Sequence, residues 1–137
     1  MAKSVAVSWI GDMTFDAVMG GHHVILDVPT PAGHGRGPSP TLLLLAGVAG
    51  CTAIDVVSIL KKARQPLEHL TVRAEGVRVE GHPRRFERIT VTYEVTGPGL
   101  DPKAVQRAVD LSEEKYCSVA ATVREHTDIV TVVQINP

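Results

Sequence analysis

The two cysteines of this chain are its candidate nucleophiles. Cys51 interrupts the apolar run of "GPSPTLLLLAGVAGCTAIDVVSILKKAR", and Cys117 stands in "SEEKYCSVAATV". Two thiols can serve as a redox couple, as a structural disulfide, or as two small buried side chains. Only a thiolate attacks an electrophile or binds a metal, and a helix N-terminus or a nearby cation is what favours it. Cys51 has neither in its local sequence, and Asp55, one helical turn on, puts negative charge beside it. Cys117 lies between two helical stretches, where a helix N-terminus could reach it, although Glu113 and Glu114 upstream oppose that benefit.

Other residue types offer less. The histidines His22, His23, His34, His69, His82 and His126 have no H-x-x-x-H spacing, and the cysteines no C-x-x-C spacing, so neither a metal site nor a cofactor is expected. Gly33, Gly35 and Gly37 imitate a phosphate-binding loop, but no lysine follows in the Walker position. The basic stretch "HPRRFER", with Arg84, Arg85 and Arg88, reads as a solvated hairpin tip.

The elements that must position the thiols follow from periodicity. Val5, Val7 and Trp9 open a strand-like alternation, and "MTFDAVM" and "HHVILDV" follow across Gly11-Asp12 and Gly20-Gly21, both hairpin turn signals. A three-stranded meander is expected over the first 28 residues. Residues 29–40 are a Pro/Gly loop, after which Ser39 caps a helix that starts at Pro40 and runs to about Arg64. Its first three turns are apolar all round, which predicts burial within the subunit or against another one. At about 100° per residue, Asp55, Ser58 and Lys62 fall on the side of Cys51, so the cysteine opens a polar seam. Two long strands then form a hairpin around Gly81-His82-Pro83, with Ile89, Val91, Tyr93 and Val95 on one face. Irregularities are expected near Glu75-Gly76 and after Phe86. Asp101-Pro102 caps an amphipathic helix to about Tyr116, a short helix is possible over 118–124, and "TDIVTVVQI" is a last strand. The order βββ–α–ββ–α(α)–β predicts an α+β fold with antiparallel sheets in a single domain spanning 1–137.

Bulk properties exclude several classes of function. Fourteen basic residues against fifteen acidic ones leave a net charge of −1, so no overall field recruits nucleic acid or an anionic membrane. The longest apolar run, Leu42 to Cys51, is about half the roughly 20 residues that cross a bilayer. The first residues lack the apolar core and cleavage site of a secretory signal. A cytoplasmic location is expected, and in a reducing cytoplasm two cysteines serve as thiols or as a transient disulfide.

The two cysteine segments together resemble the signature segments of the OsmC/Ohr family, in particular its YhfA-like branch. A Pro-containing loop leads into a long central helix with a cysteine about one third of the way along, and a second cysteine follows an amphipathic helix. The element order is similar across essentially the whole chain. The resemblance implies an OsmC-like fold, an intertwined homodimer with packed central helices, and thiol peroxidase activity on organic hydroperoxides. Cys51 would attack the peroxide, Cys117 would resolve the sulfenic acid as a disulfide, and a cellular dithiol would reduce it. Active members also use a glutamate just after the helix-opening proline and an arginine from the N-terminal hairpin region. Here Thr41 and Leu42 follow Pro40, and residues 12–23 hold neither arginine nor lysine. Arg36, His22 or His23 are the candidates to replace that cation. The missing pair favours an alternative, a dimeric protein that binds a hydrophobic small molecule at its interface.

Overall fold

Two reversals set the N-terminal architecture: Gly20-Gly21, both at positive φ (57° and 78°), and Asp12-Met13, of which Asp12 is at positive φ (48°), one residue on from the expected Gly11-Asp12 because Gly11 still pairs with Thr14. At Gly20-Gly21 both central residues lie in the left-handed region, which matches the twist of a hairpin and which glycine reaches without strain. The two reversals join β1 (Ala6–Gly11), β2 (Thr14–Met19) and β3 (His22–Leu26) into an antiparallel meander in the order β1-β2-β3. The structure, a computed structural model, describes residues 2–137, and the chain divides into two compact units, Met1–Leu44 and Leu45–Pro137.

In the first unit the loop after β3 wraps around one carboxylate. Asp27 is 1% exposed and accepts hydrogen bonds from Thr14 Oγ1 (3.0 Å) and from the backbone N–H groups of Val28 (2.6 Å), Arg36 (3.2 Å) and His34 (3.4 Å). The glycine-rich loop thus cradles an anion, but an internal one. Gly33 and Gly37 lie so close to the backbone carbonyls of Val28 and Ile25 that a side chain has no room. Burial works against the charge on Asp27, yet the bonds from Val28, Arg36, Thr14 and His34 together outweigh it and hold the carboxyl below the usual range. A carboxyl depressed on folding stabilises the native state above its unfolded pKa, and that stability is lost as pH falls through the folded value. Acidification below about pH 4 is therefore expected to free this loop first, read as accelerated amide exchange at His34 and Arg36. Asp27→Asn should show the same acceleration at neutral pH, and unchanged exchange would remove the loop-organising role.

The long helix α1 spans Pro40–Lys62, with the Leu42 N–H directed at Ser39 Oγ (3.5 Å) and Lys61 and Lys62 in its last turn. It ends slightly before Arg64, which takes a positive φ of 54°. Taken whole, α1 is long and apolar enough to cross a bilayer, with mean hydropathy 2.2 over its most apolar window, whereas the Leu42–Cys51 run alone fell short. Of its residues only Val48, Thr52, Val56 and Leu60 are buried, a stripe at helical spacing. The all-round burial expected of the first three turns is thus absent within this chain: Leu42 and Leu44 stay exposed.

The second unit is built on β4 (His69–Arg78), β5 (Phe86–Thr96) and β6 (Asp128–Ile135). Ile89, Val91, Tyr93 and Val95 of β5 are all at most 1% exposed, and their register partners Leu70, Val72, Ala74, Ile129, Val133 and Ile135 pack on the same core. The α1 stripe and Val105, Ala108 and Val109 of α2 (Pro102–Leu111) complete it. Asp101 caps α2 by accepting from the Lys103 N–H (3.0 Å).

Two local expectations are corrected. Pairing runs unbroken through Glu75 and Gly76, and Val77 is exposed; the irregularity sits one step on, where Val77 and Arg78 face Arg88 and Phe86 and leave Glu87 extra. Gly76 is needed because the Phe86 ring lies where its Cβ would be. The sheet is also not wholly antiparallel, since β5 and β6 pair in parallel. A parallel neighbour needs a crossover, and the chain supplies one through α2, a π-helical turn (Ser112–Tyr116) and α3 (Ser118–Val123).

Candidate functional site

The crossover brings the second thiol to the first. The π-helical turn ends at Cys117, which takes an extended conformation and caps α3, its sulfur accepting from the Ala120 N–H at 3.4 Å. Cys51 sits in the third turn of α1. The two Sγ atoms and a carboxylate oxygen of Asp55 all lie within 4.8 Å of one another. Cys117 is buried at 3% exposure, whereas Cys51 is half-buried, and both are free thiols. Burial pushes the Cys117 thiol up to about 11; the Ala120 N–H pulls the other way, and the neighbouring Cys51 and the Glu113 charge add to the rise. A short helix N-terminus thus does not make Cys117 a ready thiolate.

Beneath the thiols runs a chain of hydroxyls that sequence reasoning did not find. Ser112 Oγ donates to Asp55 Oδ2 (2.9 Å), Thr52 Oγ1 lies 2.7 Å from Ser112 Oγ and 2.8 Å from Tyr93 Oη, and Tyr93 Oη donates to Glu113 Oε1 (2.9 Å). Thr52, Tyr93 and Ser112 are fully buried. Arg124 closes the far end by donating to the Glu113 carbonyl and approaching Glu113 Oε2 at 3.5 Å. Burial raises the Tyr93 phenol above its usual range, opposed by the Thr52 bond and reinforced by Glu113, so the phenol stays a donor. The network fixes the Asp55 carboxylate beside the thiols. One signal was available: Thr52 follows Cys51 directly in an apolar helix, and a helical hydroxyl facing a core must find a partner.

A groove of about 350 Å³ opens alongside, lined by Asp55, Ser58, Ile59, Lys62, Leu111 and Tyr116. Asp55, Ser58 and Lys62 of the polar seam inferred from helical spacing form its wall, and Cys51 is not among its lining residues. Two of the candidate cations are paired within the first unit. Arg36 reaches Thr14 Oγ1 (3.4 Å) and Asp12 (3.9 Å), and His23 pairs with both carboxylate oxygens of Asp16 at 3.0 Å, all within the first unit. The "HPRRFER" stretch is in part structural, since Arg85 donates to the His126 carbonyl (2.7 Å).

Known proteins are similar to this chain in sequence and fold. A family model described as "OsmC-like protein" matches residues 33–132. Protein YhfA of Escherichia coli K12 is 41% identical over 124 residues, covering 90% of each chain. A hypothetical protein from Aquifex aeolicus is 31% identical with a TM-score of 0.89, covering 99% of this chain and 97% of the other. The organic hydroperoxide resistance protein OhrB of Bacillus subtilis, at 20% identity and a TM-score of 0.68 over 98% of each chain, shares the fold. With its two sheets, long helix and paired cysteine segments, the chain belongs to the OsmC-like protein family.

Proposed function

We propose that the chain is a dithiol redox protein that reduces organic hydroperoxides, with Cys51 attacking and Cys117 resolving. The observation that carries this reading is the meeting of the two thiols, from segments far apart in sequence, within 4.8 Å. Exposure supports these roles: Cys51 is half-buried and open to a substrate, whereas Cys117 is buried beside it. In the first step the Cys51 sulfur takes the distal peroxide oxygen, the O–O bond breaks, and the thiol proton leaves with the alcohol. Cys51 is then a sulfenic acid. In the second, the Cys117 sulfur displaces that hydroxyl, a disulfide forms, and water leaves with the Cys117 proton. A cellular dithiol exchanges with the disulfide and restores both thiols, as a reducing cytoplasm allows.

Peptide mapping without reductant, after brief exposure of reduced protein to near-stoichiometric organic hydroperoxide, tests this directly. A Cys51–Cys117 disulfide within seconds is expected. Two unmodified thiols would instead favour the second reading, a binder of hydrophobic small molecules. One feature supports that alternative: an apolar cavity of about 250 Å³ in the first unit, lined by Val7, Met13, Phe15, Leu26, Val28 and Pro40 beside Asp27.

We also propose that the working form is a homodimer. Val5, Val7, Trp9, Ile10, Leu42 and Ile54 are all more than half exposed, and such apolar surface marks an interface. Sedimentation at twice the chain mass is expected, and a monomer at micromolar concentration would remove the proposal.

A further inference from the structure

We propose that Cys51, Asp55 and Cys117 together bind a thiophilic divalent cation of the zinc type, which holds both thiols out of redox chemistry while it is bound. Three donor atoms of the right chemistry, two sulfurs and a carboxylate oxygen, already lie within 4.8 Å of one another. Tetrahedral zinc with bonds of ~2.3 Å to sulfur and ~2.0 Å to oxygen places its donors ~3.5–3.8 Å apart, so the triad needs to close by about 1.3 Å at most. A site with three protein donors keeps its fourth position for water or an exogenous ligand.

Preorganisation separates this triad from a chance cluster. Metal-binding carboxylates are normally held by an outer hydrogen bond, which fixes the oxygen that faces the metal. Ser112 gives Asp55 Oδ2 that bond, and Ser112 Oγ itself lies 2.7 Å from the buried Thr52 hydroxyl. The Ala120 N–H holds the Cys117 sulfur in the same way. Asp55, one of the three donors, also lines an open groove through which an ion can reach the carboxylate. The expectation of no metal site rested on local His and Cys spacing. That test does not detect a triad assembled from α1 and the residue after the π-helical turn.

Binding replaces two S–H bonds by two metal–sulfur bonds and releases two protons, with no change of oxidation state. It needs the thiols reduced, so it competes with the disulfide. The site uses the residues of the redox reading but does not depend on it, because its test involves no peroxide.

The test titrates reduced, full-length protein with Co²⁺ under argon. A thiolate-to-cobalt charge-transfer band with tetrahedral visible bands is expected, saturating at one ion per chain and displaced by Zn²⁺. Cys51→Ser and Cys117→Ser should each weaken binding at least 100-fold, and Asp55→Asn at least tenfold with the sulfur band retained. The disulfide form should bind nothing until it is reduced. Circular dichroism checks that the variants fold, and the unsubstituted protein gives a second measurement: Zn²⁺ should protect both thiols from alkylation. Absence of the sulfur band, a band that survives Cys117→Ser, or alkylation indifferent to Zn²⁺ would each overturn the proposal. Equal affinity in Asp55→Asn would remove the carboxylate from the site.

Discussion

Cys51→Ser is expected to lower hydroperoxide-dependent thiol turnover at least 10³-fold, because a serine hydroxyl cannot take the peroxide oxygen or form a disulfide. Cys117→Ser should behave differently. Its Cys51 still meets the peroxide, so one equivalent is consumed, and the sulfenic acid persists long enough to be trapped by a dimedone-type reagent. Continued exposure should then drive Cys51 to sulfinic acid, since no buried thiol arrives to resolve it. The asymmetry follows from geometry: Cys117 is 3% exposed and capped by the Ala120 N–H, while Cys51 is half-buried in the third turn of α1. In the unsubstituted protein Cys51 should also alkylate first at pH 7–8. The Cys117 thiol, pushed up to about 11, keeps a thiolate fraction on the order of 10⁻⁴ at pH 7. If Cys117→Ser lost its first turnover as completely as Cys51→Ser, the assignment of roles would be wrong.

Much of the frame behind this chemistry was legible in sequence. Gly20-Gly21 fixed the second N-terminal turn, Asp101-Pro102 fixed the start of α2, and the alternation of Ile89, Val91, Tyr93 and Val95 fixed the inward face of β5. These signals are local: a backbone conformation, a cap, a period of two. What was not legible depends on contacts between segments. The parallel pairing of β5 with β6 requires knowing where the crossover returns, and composition carries no trace of it. Gly76 looked like a bulge because its reason, the Phe86 ring over its Cα, lies on the neighbouring strand. Asp27 closed an apolar strand as an unremarked carboxylate, and only the folded loop shows three backbone N–H groups aimed at it. The candidate site divides the same way. Its two thiols announce themselves by type, and the resemblance to a family pairs them, but Ser112, Tyr93 and Glu113 join Asp55 only through space. Of the candidates to replace the family's activating cation, Arg36 and His23 have partners in the first unit.

Thr52→Val is expected to be the most damaging substitution of similar volume near the site. Valine keeps the shape and the helical stripe but removes the one hydroxyl that lies between Tyr93 Oη (2.8 Å) and Ser112 Oγ (2.7 Å). Tyr93 and Ser112 are fully buried, so neither can turn to water, and a stranded buried polar group costs about 1–3 kcal/mol. Each retains one bond, to Glu113 and to Asp55 respectively, which limits the loss to about 2–3 kcal/mol and a fall in Tm of about 8 °C. Thr52→Ser separates the two causes, because it keeps the hydroxyl and gives up only a methyl group, and it should lose about 1 kcal/mol. The functional consequence runs through Asp55. Once Ser112 has lost its own anchor it no longer holds Asp55 Oδ2 in a fixed place, so the carboxylate beside the thiols samples other rotamers. Thr52→Val should therefore bind the zinc-type cation more weakly than Thr52→Ser, at a temperature where both remain folded. Equal affinities in the two variants would show that the buried hydroxyl chain serves the core alone and that Asp55 is positioned by α1 itself.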